Sequence, residues 1–119
     1  MVSINIKKDM PPADLAVANL VTEIEYYCKT DERVIKVVHG YGSHGTGGEI
    51  KKLLHEKLQE LVRKKVILGF VKGEAFGSFD NLSVLAKKLA PELILNPEFN
   101  FNGGITIVIL NEKDCTNGK

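Results

Sequence analysis

The sequence predicts an α/β domain with a four-stranded mixed sheet, and three observations support this fold class. Short runs rich in β-branched residues, such as 33–38 (RVIKVV), alternate with longer stretches of helical periodicity. The last run, 104–110 (GITIVIL), is almost continuously apolar, which is typical of a central strand covered on both faces. The length of 119 residues suits one domain with one core. The expected element order is β-α-β-α-β-α-β.

Each expected element has a local signature. The first strand, 2–6, precedes two prolines that suit a turn and the first positions of a helix. Helices are expected over 13–29 and 49–65, where apolar residues recur at i, i+3, i+4 and i+7. A third strand is expected over 66–71, and Asp80 is expected to cap a shorter helix that Pro91 ends. We expect the first two helices to pack on one face of the sheet. The core then spans residues 3–110, followed by a polar tail over 111–119.

The composition indicates an ordinary globular protein without a bulk preference for anions. Hydrophobic residues make up 44% and charged residues 26%, and the formal net charge is +1, so an anionic partner would need a local basic patch. Cys28 and Cys115 do not form a disulfide framework and are expected to be reduced thiols. The chain shows no apolar leader and no run long enough to cross a membrane. We therefore expect a cytoplasmic protein with no membrane partner, and its oligomeric state is left open.

A glycine-rich loop, 37–50 (VVHGYGSHGTGGEI), separates the second strand from the long helix. Gly40, Gly42 and Gly45 spell G-x-G-x-x-G, but a dinucleotide fingerprint should follow the first strand. It also needs an acidic residue about 20 positions on, where this chain has Lys65. The glycine–lysine phosphate loop fails as well, because Gly48-Glu49 stands where Lys and Ser or Thr are required. The sequence therefore predicts no nucleotide cofactor.

The same loop still has the general properties of an anion site. A glycine-rich turn that enters a helix N-terminus exposes amide groups and the positive end of the helix dipole. The first β-α-β unit makes its strands parallel, so Lys7 and Lys8 should emerge beside His39 and Gly40 at one sheet edge. The alternative is a glycine loop that binds nothing. The candidate binding residues are Lys7, Lys8, Gly40, Tyr41, Gly42, Gly45, Thr46, Gly47, Gly48, Lys51 and Lys52.

The loop and its flanking elements resemble the Smr (small MutS-related) domain family. The segment 34–54 resembles the family's central H-G-x-G region, which is His39-Gly40-Tyr41-Gly42 here. The stretches 4–24 and 102–110 resemble its first strand and helix and its glycine-led last strand, so the resemblance covers residues 3–110. The longer loop and the extra helix resemble a short stand-alone bacterial branch of the family. The resemblance implies a single Smr-like domain. Its fold would be a two-layer sandwich with helices mainly on one face, similar to the C-terminal domain of translation initiation factor three.

The resemblance also implies nucleic-acid binding, with endonuclease activity in some members. The family's first strand commonly ends in L-D-L-H, whose Asp and His are tied to cleavage, but this chain has Ile4-Asn5-Ile6-Lys7. The basic residue usual in the second helix is represented by Lys51. The implied function is binding of RNA or DNA phosphates, with metal-independent phosphodiester cleavage as a further hypothesis. The alternative is a non-catalytic protein-interaction or small-anion-binding module that has kept the fold.

Two of the three histidines have competing interpretations. His39 is either a general acid or base, or a strand-end residue whose ring nitrogens hold the loop. His44 is either a second proton donor or an exposed loop residue. His55 is expected to be a solvated helix residue. Joining His39 and His44 with Glu49 gives no recognised ligand spacing, so no metal site is expected.

The aromatic residues near the loop offer contacts to bases. Tyr41, Phe99 and Phe101 are candidates for stacking on single-stranded bases, and the alternative for the two phenylalanines is packing under the loop. The run Arg63-Lys64-Lys65 is interpreted as complementing the dipole at the helix C-terminus.

Overall fold

The computed structural model describes residues 1–8, 11–40 and 46–112, and for residues 46–48 only the backbone. The chain is an α/β protein with four strands and four α-helices in the described part. The strands are β1 (Val2–Asn5), β2 (Val34–Val38), β3 (Ile67–Lys72) and β4 (Ile105–Leu110). The helices are α1 (Ala13–Tyr27), α2 (Thr46–Arg63), α3 (Asn81–Leu89) and α4 (Glu92–Leu95). Short 3₁₀ helices at Gly73–Ala75 and Pro97–Phe99 complete the description.

The four strands form one open mixed sheet in the order β1-β2-β4-β3. The predicted parallel pairing of the first two strands is confirmed, with Asn5 opposite Val38. The last strand in sequence, β4, lies between β2 and β3 and is antiparallel to both. This position explains its apolar sequence, because every residue of β4 is buried.

The two long helices pack on one face of the sheet, as expected. Their apolar stripes meet strand residues in a core cluster around Leu20, Ile24, Leu54, Leu58 and Val108. The i, i+3, i+4 spacing of these helix positions is what directs the side chains to a single face.

The opposite face has a second core cluster, which the short helices cover. Phe76, Ala86 and Leu93 pack there against Ile107 and Ile109 of β4. The predicted cap of α3 is confirmed, since Asp80 accepts a hydrogen bond from the Ser83 amide at 3.4 Å. The expectation of helices mainly on one face therefore holds for the two long helices, whereas the short helices α3 and α4 cover the other face.

The topology gathers several chain segments at one end of the sheet. The strands β1, β2 and β3 finish there and β4 begins there, so residues 6–8, 39–40, 72–74 and 102–104 are neighbours. We refer to it as the glycine end of the sheet. The opposite end holds the last turn of α1 and the start of β2.

The described residues also give the state of one cysteine and the hydropathy of the helices. Cys28 has a free thiol whose Sγ lies 3.5 Å from the Val66 carbonyl oxygen, and Cys115 lies outside the described residues. Among the helices that the structure describes, none is both long and apolar enough to cross a membrane.

Candidate functional site

The backbone at the end of β2 is fastened to the start of β4. The amides of His39 and Gly40 both donate to the Gly104 carbonyl oxygen, each at 3.0 Å. Gly40 takes a φ of +78°, in the left-handed region that glycine adopts without strain. The Gly40 amide is therefore already engaged, and this residue serves the site through its shape.

Lys7 lies directly over Gly40. Its Cδ and Nζ atoms lie 3.3 Å and 3.7 Å from the position that a side-chain carbon on Gly40 would take. The Ile6 amide donates to the Val38 carbonyl oxygen at 3.0 Å, which fixes the chain just before Lys7. The predicted neighbourhood of Lys7 and Gly40 is confirmed, and it follows from the parallel pairing of β1 and β2.

The ring of His39 is buried and hydrogen-bonded on both nitrogens. Only 1% of the residue is exposed. Nδ1 lies 2.8 Å from the carbonyl oxygen of Gly40, and Nε2 lies 2.9 Å from Thr106 Oγ1. A general acid or base needs a nitrogen that can reach a substrate. This geometry favours the second interpretation of His39, a residue that holds the loop.

The prediction for His55 is wrong. Its ring is half-buried between α2 and the sheet. Its Nε2 atom lies 2.8 Å from Thr106 Oγ1, and the ring stacks on Phe70 with ring centroids 5.8 Å apart. His55 sits three residues before Leu58 on the apolar stripe of α2, so it faces the sheet. We refer to His39, Thr106 and His55 as the histidine cluster.

The hydrogen bonds determine the tautomers of both rings. A carbonyl oxygen can only accept, so His39 Nδ1 carries the proton and Nε2 of the neutral ring accepts. Thr106 has one hydroxyl proton, which it therefore donates to His39. The Thr106 oxygen accepts in turn from His55 Nε2–H. The chain of donors runs from His55 through Thr106 and His39 to the Gly40 carbonyl oxygen.

Burial keeps both histidines neutral. It is the main reason that the pKa of His39 is lowered from its ordinary value. The pKa of His55 is lowered from 6.5 to about 4, first by burial, and the positive charge of Lys72 acts in the same direction. Neutral rings are what the donor chain requires, so the electrostatics and the geometry agree.

The lysines at this end of the sheet differ in whether they have an ionic partner. Lys51 donates to Glu74 Oε2 at 3.0 Å, so its charge is balanced within the protein. Four lysines are exposed and make no ion pair with another described residue. They are Lys7, Lys8, Lys52 and Lys72, and we call them the lysine group.

Carboxylates also lie near the lysine group in the sequence. The nearest described ones are Glu49 and Glu56 on either side of Lys52, Glu74 after Lys72, and Asp14 after Lys8. Glu74 is paired with Lys51, and Asp14 accepts from the Leu15 amide at 2.9 Å in the first turn of α1. Lys72 was absent from the sequence-based candidates, although it directly follows the predicted third strand.

The two phenylalanines differ from each other. Phe99 is half-buried against the second core cluster, with the Lys36 ammonium 4.1 Å from its ring centroid. Phe101 is 64% exposed, so it does not pack under the loop. Phe101 therefore remains a candidate for contact with a base.

Several candidate residues are not described. Tyr41, Gly42, His44 and Gly45 lie outside the described residues, and Thr46, Gly47 and Gly48 are described only as the backbone that begins α2. Within the described part of the chain, no three His, Cys, Asp or Glu side chains are grouped to hold a metal ion.

Comparisons of the chain with models of known protein families, with curated proteins and with solved structures found no match.

Proposed function

We propose that the protein is a small Smr-like nucleic-acid-binding domain that contacts backbone phosphates at the glycine end of its sheet. The observation that carries the proposal is the position of Lys7, whose side chain lies over Gly40 and whose ammonium has no described ionic partner. Lys8, Lys52 and Lys72 share this end of the sheet and are exposed as well. Exposed lysines without partners are the groups that neutralise phosphates.

The proposal is one of binding, with His39 as a residue that shapes the site. Both of its ring nitrogens have partners within the protein, and cleavage through this ring would require it to leave two hydrogen bonds. The missing Asp and His of the L-D-L-H motif point the same way. Lys51 contributes less than the lysine group, because Glu74 already balances its charge.

Salt dependence of binding tests the proposal. Labelled single strands and duplexes of about 12 units, of RNA and of DNA, are titrated with protein by fluorescence anisotropy at several KCl concentrations. We expect log K to fall linearly with log[salt], by about 0.7–0.9 per phosphate contact. A flat response, or no binding to any of these nucleic acids, contradicts the proposal. Binding of inorganic phosphate alone would support the small-anion module instead.

A matched pair of lysine variants locates the site. Lys7→Gln removes one ammonium beside Gly40, so we expect affinity to fall about threefold to fivefold and the salt slope to decrease by about one unit. Lys29→Gln removes an exposed ammonium just after α1, at the opposite end of the sheet, and should leave both quantities unchanged. Equal effects of the two variants would mean that binding is not localised at the glycine end.

A further inference from the structure

We propose that Phe101 is a stacking platform for a base, so that the preferred ligand of this protein is single-stranded nucleic acid. This inference rests on the proposed function, because it names the class of nucleic acid that the same site takes. Phe101 is a large apolar side chain at the glycine end with 64% of its surface exposed. An aromatic face accepts any base, but only a base that is not stacked within a duplex.

The backbone holds Phe101 in an unusual conformation. Its φ is +54°, in the left-handed region that residues other than glycine rarely adopt. Its amide donates to the Phe76 carbonyl oxygen at 2.7 Å, which stabilises that conformation. The backbone at Phe101 is thus held in a defined conformation while the ring is 64% exposed.

The ring is also positioned by its neighbour. Its Cε2 atom lies 3.1 Å from the place that a side-chain carbon on Gly77 would occupy, and Gly77 has a φ of +109°. One edge of the ring is thus supported while much of the ring remains open. Phe79, two residues beyond Gly77, is 97% exposed and so has almost no support from the protein. A supported ring loses less conformational entropy when a base stacks on it.

Phe101 lies within reach of the phosphate-binding lysines. It is three residues from Gly104, a span of at most about 11 Å along an extended chain. The Gly104 carbonyl oxygen accepts from the Gly40 amide, and Lys7 lies over Gly40. A strand whose phosphates contact Lys7 can therefore place a nearby base on Phe101. This pairing of a basic groove with an aromatic face is the general means of binding single strands.

Charge complementarity favours a nucleic acid over an apolar partner for this ring. Gly73, which follows Lys72, lies against Asn102, which follows Phe101. An apolar protein partner would have to desolvate Lys72, which costs free energy without a matching anion. A nucleic acid supplies both the base and the phosphate. The ring and the lysines then have one ligand in common.

The test compares Phe101→Leu with wild-type protein on single strands and duplexes. Leucine keeps an apolar side chain of similar backbone preference but has no aromatic face. We expect affinity for a single strand of about 12 nucleotides to fall about tenfold while the salt slope stays unchanged, since no charge is removed. In the wild type, affinity for a duplex should be weaker than affinity for a single strand. The substitution should leave the affinity for a duplex unchanged. Phe101→Tyr should restore the single-strand affinity, and RNA and DNA strands of one sequence show which sugar is preferred.

Tyr26→Leu is the control, because Tyr26 has 63% exposure and lies at the opposite end of the sheet. It should bind as the wild type does. If Phe101→Leu binds single strands normally while Lys7→Gln binds weakly, the stacking inference is overturned and the proposed function stands. Equal losses for single strands and duplexes also overturn the inference. If the wild type binds no nucleic acid, the inference and the proposed function fall together.

Discussion

The histidine cluster and the lysine group lie at the same end of one sheet, but they differ in burial and in partners. Thr106 is fully buried and His39 is 1% exposed, and their polar side-chain atoms are hydrogen-bonded to each other and to neighbours. The lysine group is exposed and has no described ionic partner. Buried polar groups with complete partners stabilise and specify a fold, whereas unpartnered exposed charges are available to a ligand. The difference assigns the histidines to the shape of the site and the lysines to its ligand.

Removing the Thr106 hydroxyl should have the largest effect on this comparison. Thr106→Val keeps the side-chain shape but leaves His39 Nε2 and His55 Nε2–H without their shared partner. We expect the free energy of unfolding to fall by about 2–3 kcal/mol, measured by urea denaturation. Thr22→Val is the matched control on the exposed side of α1 and should change stability by less than about 0.5 kcal/mol. An unchanged free energy of unfolding in Thr106→Val would show that the histidine cluster does not stabilise this end of the sheet.

Acidification should weaken the fold by a smaller amount. In the unfolded state the histidines are protonated below about pH 6.5. In the folded state the pKa values of His39 and His55 are lowered, that of His55 to about 4, so these rings are protonated only at lower pH. The contribution of the two histidines to the free energy of unfolding is therefore fully present above pH 6.5 and is lost as the pH falls toward 4. Since the His55 ring is only half-buried, we expect a loss of about 1–2 kcal/mol between pH 7.5 and 5.

A variant separates the His55 contribution from the rest. The titratable groups that face His55 are His39, Lys51, Lys72 and Glu74, so several groups share the pH dependence. His55→Gln retains an N–H donor for Thr106 but does not titrate. Urea denaturation of this variant should show a shallower loss of stability between pH 7.5 and 5. A pH dependence identical to that of the wild type would mean that His55 is not held neutral by the fold.

The smallest expected effect concerns Lys51, the lysine at the glycine end whose charge is balanced by Glu74. Glu74→Gln frees Lys51 and removes a negative charge from the glycine end, so affinity for an oligonucleotide should rise about twofold and the salt slope should steepen. Glu60→Gln breaks ion pairs with Lys57 and Lys64 near the far end of α2 and serves as the control. Unchanged or weaker binding by Glu74→Gln would place Lys51 away from the bound strand.

Local sequence patterns predicted the strands, the long helices and the place of Lys7. Helical and strand periodicity depend on residues that are close in the sequence. The preference of consecutive β-α-β elements for a right-handed, parallel arrangement then predicts the pairing of β1 with β2. The apolar run of β4 predicted a central strand, but no local pattern encodes its two neighbours, β2 and β3, which bring together residues distant in the sequence. The four-residue helix α4 was also missed, because it is too short to show periodicity.

The histidine cluster depends on that unpredicted pairing. Thr106 meets His39 and His55 because β4 lies beside β2 and beneath α2. Two features of the sequence nevertheless pointed to the histidine cluster. Thr106 is the polar residue within an otherwise apolar strand, and His55 occupies a position on the apolar stripe of α2. A lone polar residue in a buried strand is a reason to search for a polar partner on the elements that cover it.

The different roles of the histidine cluster and the lysine group can be tested most directly by nuclear magnetic resonance during a titration with a short single-stranded oligonucleotide. Ring ¹⁵N signals report the histidine tautomers, and backbone amide shifts report the bound surface. The account predicts that the amides of Lys7, Lys8 and Lys72 shift on binding. The His39 ring should meanwhile keep its proton on Nδ1 and the His55 ring should keep its proton on Nε2. Protonation or a change of tautomer at His39 on binding, or shifts confined to α3 and α4, would contradict the account.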